Sequence, residues 1–134
     1  MIDIENEVID RVSRSVRKHF PDIYFTGELV KAPSKFPAVS LIEMDNTMYR
    51  RTQSSTNMEN HAEVMYEVNV YSNKSAGKKS ECRKIAFAVD AAMQDMGFTR
   101  TMLNPIPDMH DATIYRIVAR YMAVVSADKM IYRR

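Results

Sequence analysis

Residues 113–126 read TIYRIVARYMAVVS and predict the longest β-strand of the chain. Successive side chains of a strand point to opposite faces of the sheet. One face would carry only apolar or aromatic side chains, namely Tyr115, Ile117, Ala119, Tyr121, Ala123 and Val125. The other face would place Arg116 and Arg120 among Ile114, Val118, Met122 and Val124. The first face predicts the buried side of a sheet, and the second predicts a side that no other layer fully covers.

Two further strands and a long hairpin precede this strand in the sequence. Residues 63–71 (EVMYEVNVY) alternate well, and residues 38–44 (AVSLIEM) form a second strand candidate. The polar residues 45–62 between them predict a hairpin extension, with its tip at about Arg50 to Asn60. A polar loop of this length is usually functional or disordered.

Two amphipathic helices complete the pattern, together with two shorter strands. In residues 3–19 an apolar side chain recurs every four positions, and residues 77–96 carry a stripe at helical spacing. The second stripe consists of Cys82, Ile85, Ala86, Val89, Met93 and Met96. The shorter strands are expected at residues 23–30 and 98–103.

The element order α-β-β-β-α-β-β predicts a single α+β domain over residues 1–134. Each helix has one apolar stripe, so we expect a mostly antiparallel sheet of four or five strands with both helices on one face. The face that carries Arg116 and Arg120 would then be uncovered, which indicates a partner surface. The alternative is an ordinary solvated face, in which Glu63 or Glu67 pairs with one of these arginines across strands.

Composition excludes several classes of protein. The balance of 19 Lys and Arg against 17 Asp and Glu gives a net charge of +2, too small to signal a dedicated nucleic-acid binder. A single cysteine, Cys82, excludes an internal disulfide and a zinc site of several thiolates. The acidic start MIDIENEVID predicts no signal peptide, and the sequence predicts no membrane span. A reducing cytoplasm is the expected compartment.

No motif of a known chemistry stands out. The cluster Asp108, His110 and Asp111 is suited to a metal or a general base, although aspartates that cap a turn explain it more simply. Cys82 is expected to be a buried packing thiol. The bases around the start of the second helix could meet phosphates or form a solvated helix face; they are Lys74, Lys78, Lys79, Arg83 and Lys84. We expect no catalytic residue, no metal and no cofactor.

Five stretches carry a family resemblance across nearly the whole chain. MIDIENEVIDRV opens a helix that a Phe-Pro pair ends, FPAVSLIEMDNTMYRRTQ runs from a strand into the polar hairpin, and ENHAEVMYEVNVYSN is the return strand. MGFTRTMLNPIPD and ATIYRIVARYMAVV end the domain. In the residues and the order of these stretches, the sequence resembles the tail terminator, or tail completion, proteins of long-tailed phages. These proteins are also called minor capsid or head–tail joining proteins.

The resemblance implies a structural subunit of the virion that is assembled in the host cytoplasm. It implies a ring, usually of six copies, that caps the tail tube, ends tube polymerisation and joins the tail to the head. The expected partners are other copies of the chain, the tail tube protein and a head-neck protein, with no membrane. DNA would pass through the ring without specific binding. The candidate interface residues are Arg50, Arg51 and Met58 of the hairpin tip and Arg116 and Arg120 of the uncovered sheet face.

Three alternatives remain open at this point. A head-side neck protein, such as a stopper or an adaptor, is also a small ring subunit, but a stopper is often more barrel-like and an adaptor is mainly helical. A nucleic-acid-binding module would need the lysines near residue 78 to form one continuous patch with Arg116 and Arg120. An enzyme would need a polar pocket, for which the sequence offers only Asp108, His110 and Asp111.

Overall fold

A computed structural model describes residues 1–30, 33–48, 60–107 and 111–132 of the chain. Two helices are present in these ranges, α1 (Glu5–Arg17) and α2 (Lys78–Met96). The strands are β1 (Tyr24–Thr26), β2 (Ala38–Met48), β3 (His61–Ser72), β4 (Thr99–Pro105), β5 (Tyr115–Ser126) and β6 (Ile131–Tyr132). The α+β class with two helices is therefore confirmed.

Local sequence explains where the helices begin and end. α1 carries Glu5 and Glu7 in its first turn and Arg14 and Arg17 in its last turn, the order that the helix dipole favours. α2 ends at Gly97, whose φ of 106° lies in the left-handed region that glycine adopts without a Cβ clash. The backbone N–H of Phe98 then donates to the carbonyl of Met93, which closes the last turn and directs the chain into β4.

The sheet corrects the prediction of four or five mostly antiparallel strands. It is a mixed sheet of six strands in the order β1-β2-β3-β5-β4, with β6 paired to β5 beyond the start of β4. β1 pairs with β2 in parallel, with Tyr24 opposite Ala38 and Thr26 opposite Ser40. β6 has two residues, too few to show any periodicity in the sequence.

The core lies between the helices and one face of this sheet. α1 and α2 contact each other, and both supply buried side chains to the cluster formed by the β2, β3 and β5 faces. The apolar stripes of both helices and the apolar face of β5 contribute to it, with Val12, Val16, Ile85, Val89, Ile117 and Tyr121 among the buried residues. The Tyr121 hydroxyl donates to Asp90 Oδ1 at 2.8 Å, and Arg100 pairs with the same oxygen at 2.9 Å. These bonds fix α2 to β5 and β4.

The packing of Val89 generates a stability prediction. Val89 is buried on α2 against the sheet, so its replacement by alanine removes apolar contacts and leaves a cavity. We expect Val89→Ala to lower the free energy of unfolding by about 2–3 kcal/mol, measured by urea denaturation. The exposed Lys84→Ala on the same helix is the matched control and should change it by less than about 0.5 kcal/mol. Equal effects of the two variants would place Val89 outside the core.

Candidate interaction surface

The face of the sheet opposite the helices is the strongest candidate for a functional surface. We call it the open face. It carries Met65, Glu67 and Asn69 of β3 and Arg116, Val118, Arg120, Met122 and Val124 of β5. The register places Met65 opposite Met122, Glu67 opposite Arg120 and Asn69 opposite Val118. No helix in the described part of the chain covers these side chains.

A polar ladder joins β3 to β5 on the open face. Arg120 Nε donates to Glu67 Oε1 at 3.2 Å. Arg116 donates to Asn69 Oδ1 through Nε at 2.9 Å and through Nη2 at 2.7 Å, while its guanidinium lies 5.8 Å from the centre of the Tyr71 ring. The cross-strand interpretation of these arginines is thus confirmed for Glu67 and Arg120, whereas Arg116 takes an asparagine as its partner.

The ladder buries polar groups that the open face would otherwise leave in water. Glu67 is 8% exposed and Asn69 is 0% exposed. Val118, which lies between the two arginines along β5, is 2% exposed. Long arginine side chains cover neighbouring surface with their stems while their charged heads stay hydrated. The stems of Arg116 and Arg120 therefore cover this part of the open face, whereas helices cover the other face of the sheet.

An apolar strip continues from the ladder toward β6. Met65, Met122 and Val124 are half-buried, and the exposed Tyr132 pairs with Val124 from β6. Methionine side chains adapt to irregular contact surfaces because they are unbranched and polarisable. A strip of this kind beside charged arginines suits contact with another protein.

The opposite end of the open face is closed by aromatic side chains. A second, smaller cluster contains the buried residues Ala38, Tyr71 and Ile114, with Tyr24 and Phe36 packed against it. Sequence reasoning did not identify this cluster. Its members come from four separate segments, so no single periodic pattern could reveal it.

The predicted interface residues fall into two groups. Arg116 and Arg120 lie together on the open face. Arg50, Arg51 and Met58 lie outside the described residues, as do Asp108 and His110. Asp111 Oδ1 accepts hydrogen bonds from the backbone N–H of Thr113 at 2.9 Å and from its hydroxyl at 2.6 Å, which lowers the pKa of Asp111. Those bonds give Asp111 the role of a turn cap.

Among the residues that the structure describes, no three His, Cys, Asp or Glu side chains are grouped so as to hold a metal ion. None of the described helices has the length and apolar character of a membrane span.

Cys82 is a packing thiol at the start of α2. Its Sγ is buried, 3.3 Å from the carbonyl oxygen of Tyr115 and 3.7 Å from that of Val70. Burial, with a smaller contribution from Glu81, raises the pKa of Cys82 to about 12. The thiolate that would act as a nucleophile is therefore scarce at neutral pH.

Thiol labelling tests this assignment. At pH 8 the native protein should react with a water-soluble disulfide reagent at least about a hundredfold more slowly than the urea-unfolded chain, because both burial and the raised pKa suppress the thiolate. A Phe87→Cys variant, exposed on the same helix, should label rapidly and serves as the control. Equal labelling of Cys82 in the native and unfolded protein would contradict a buried role.

A group of acids lies where β2 meets the start of α1. Tyr66 donates its hydroxyl to Glu43 Oε1 at 3.0 Å, and Asn46 Nδ2 donates to the carbonyl of Ile2 at 2.8 Å. Burial raises the pKa of Glu43, and the nearby charges of Glu5 and Asp3 raise it further, against the lowering effect of the bonds from Tyr66 and Asn46. Like charges thus gather at this end of the sheet.

The pKa of Glu43 predicts a pH dependence of stability. A carboxyl whose folded pKa lies above its ordinary value of 4.5 binds protons more tightly in the folded state, so its contribution to stability increases as the pH falls through the folded pKa. Glu43→Gln keeps an acceptor for Tyr66 and removes the charge. We expect its melting temperature at pH 7 to exceed that of the parent chain, and the difference to vanish below about pH 4.

The exposed Glu28→Gln is the matched control, since it removes one negative charge elsewhere. A Glu43→Gln variant that is less stable than the parent chain at pH 7 would contradict the raised pKa.

The position of α2 bears on nucleic-acid binding. α2 packs on the helix face of the sheet, whereas Arg116 and Arg120 lie on the open face. The lysines near residue 78 and these two arginines are therefore separated by the sheet. The continuous basic patch that a nucleic-acid-binding module requires is not formed by these residues.

A scan of the sequence against protein-family models and a search of curated proteins both find no match. The open face and the sequence resemblance are therefore the two sources of a functional hypothesis.

Proposed function

We propose that this chain is a structural subunit of a long-tailed phage that caps the tail tube as a ring, ends tube polymerisation and joins the tail to the head. The open face is the observation that supports this proposal. It presents a half-buried apolar strip beside two arginines, on a sheet whose other face is fully used by the helices. The sequence resemblance supplies the kind of assembly.

The geometry of a ring is compatible with this subunit. Copies in a cyclic ring meet through two different surfaces, while the two ends of the ring meet other proteins. We assign the open face and the hairpin tip to contacts with the tail tube protein or a head-neck protein. Arg50 and Arg51 of the tip would pair with carboxylates of a neighbour.

The ladder and the apolar strip have different roles in such a contact. Glu67 and Asn69 hold Arg120 and Arg116 in place, so the face is rigid before binding. Arg120 remains 42% exposed in its side chain, and its guanidinium has further N–H donors for a carboxylate of the partner. Met65 and Met122 fill the uneven apolar surface between these fixed points.

The proposal includes no catalytic step, cofactor or sequence-specific contact with DNA. DNA would pass through the ring, in the virion, without a specific site.

Tail assembly tests the proposal through the open face. Met122→Lys places a charge in the apolar strip, where a half-buried position of a solvated sheet tolerates it but a protein contact does not. In a phage whose copy of this gene is inactivated, the variant should fail to restore joined particles, and electron microscopy should show tails of uncontrolled length. His19→Lys, exposed at the end of α1, adds the same charge and should restore normal particles.

The hairpin tip is tested separately by deletion of Thr52 to Asn57. The shortened chain should fold with an unchanged melting temperature, because surface loops contribute little to stability, and should fail in ring formation or docking. Normal yields of infectious particles with both Met122→Lys and the deletion would refute the proposal. Tails of normal length beside heads that lose their DNA would identify a head-side neck protein instead.

A further inference from the structure

The outer surface of α2 has features that the open face does not explain. Lys79, Arg83 and Lys84 are exposed there, and none of them forms an ion pair with any residue that the structure describes. Phe87 lies beside them with 63% of its surface exposed, and the Arg83 guanidinium is 5.7 Å from the centre of its ring. We call these four residues the basic patch. Exposed aromatic and arginine side chains are typical anchors of protein interfaces.

The acids at the start of α1 have the opposite character. Asp3, Glu5 and Glu43 lie close enough for their charges to interact, and the neighbouring Met44 is 47% exposed at the irregular position in β2. We call these four residues the acidic patch. Lys129 is paired with Glu7 at 2.8 Å, and its charge also interacts with Asp3. This one base faces the four carboxyl groups of Asp3, Glu5, Glu7 and Glu43, so an excess of negative charge remains.

The basic patch begins near one end of β3, and the acidic patch lies near the other end. The start of α2 is fixed to the end of β3, where the Ser72 hydroxyl donates to Glu81 Oε1 at 2.6 Å. The acidic patch lies at the other end of β3, where Asn46 pairs with Val64 and donates to the carbonyl of Ile2. Among the described residues of one copy, no ion pair joins the basic patch to the acidic patch.

From this arrangement we infer that the basic patch of one copy docks on the acidic patch of the next copy. The partner of the basic patch is a second copy because the same chain also carries the acidic patch. Each patch includes one exposed apolar side chain, Phe87 in the basic patch and Met44 in the acidic patch. Phe87 would contact Met44, a favourable pairing of an aromatic ring with a thioether sulfur. A contact between two different patches is head to tail, which generates a ring when the rotation closes.

This inference rests on the proposed function, since it names the lateral contact of the proposed ring. It leaves the open face and the hairpin tip free for the tube and the head. The helix dipole disfavours basic side chains at the start of α2. Carboxylates of the next copy would offset this unfavourable interaction.

Charge reversal with rescue tests the inference on the full chain. Sedimentation velocity over a concentration series would compare the parent chain with K79E/R83E, with D3K/E5K and with the chain that carries all four changes. Each double variant should raise the concentration needed for association at least about tenfold, and the fourfold variant should restore it, because its patches are again complementary. Added salt should weaken the association of the parent chain.

R17E/K18E is the matched control. It changes the charge by the same amount on exposed residues of the end of α1 and should associate like the parent chain. The changes at Asp3, Glu5 and Arg17 oppose the dipole of α1, so melting curves by circular dichroism set a temperature at which every variant is folded and association is compared.

Three outcomes would overturn the inference. Association of the parent chain that neither double variant weakens would place the lateral contact elsewhere and leave the proposed function intact. Unchanged association together with DNA binding that K79E/R83E abolishes would assign the basic patch to nucleic acid. A parent chain that stays monomeric at every concentration, alone and with tail tubes, would refute the proposed function together with the contact.

Discussion

Two helices cannot cover both faces of a six-stranded sheet. The face without a helix, the open face, must therefore be covered by its own side chains. Both helices pack on the face that β5 fills with Ile117, Ala119 and Tyr121. The other face is closed by arginine stems over Glu67, Asn69 and Val118. The carboxylate and the amide buried there are each bonded by an arginine, and Asn69 Nδ2 also donates to Glu67 Oε2 at 3.4 Å. The polar ladder therefore closes this face without a third layer.

This solution leaves surfaces of distinct chemistry on one small domain. The open face combines a fixed polar ladder with adaptable methionines. The basic patch on α2 and the acidic patch on α1 and β2 carry opposite charge. A subunit that contacts proteins above, below and on both sides needs such a division, because each contact must reject the wrong partner. This division links the fold to the proposed role in a ring.

Strong periodicity is what made most of the fold predictable. The alternation of β3 and β5 assigned their faces correctly, and the helical stripe of α2 gave its buried residues from Cys82 to Met96. The strand expected at residues 23–30 exists as β1, but its length of three residues and its parallel pairing with β2 were not predicted, and β6 was missed. Strands of three and two residues are chosen by pairing partners distant in the sequence. The half-buried position of Glu43 beside Tyr66 was not predicted either. It depends on the pairing of β2 with β3 and on the register shift that follows Glu43, which the local sequence does not show. Arg116 and Arg120 were placed on one face from the sequence, while the partnership of Arg116 with Asn69 required the register of β3 on β5.

The assembly state of the full chain tests the central claim most directly. Native mass spectrometry, combined with electron microscopy of the same sample with and without tail tubes, measures the copy number and shows whether copies close. We expect a closed ring of one defined copy number, six by the family resemblance, formed in solution or on the end of the tube. A monomer that neither concentration nor tail tubes convert into a ring would contradict the account.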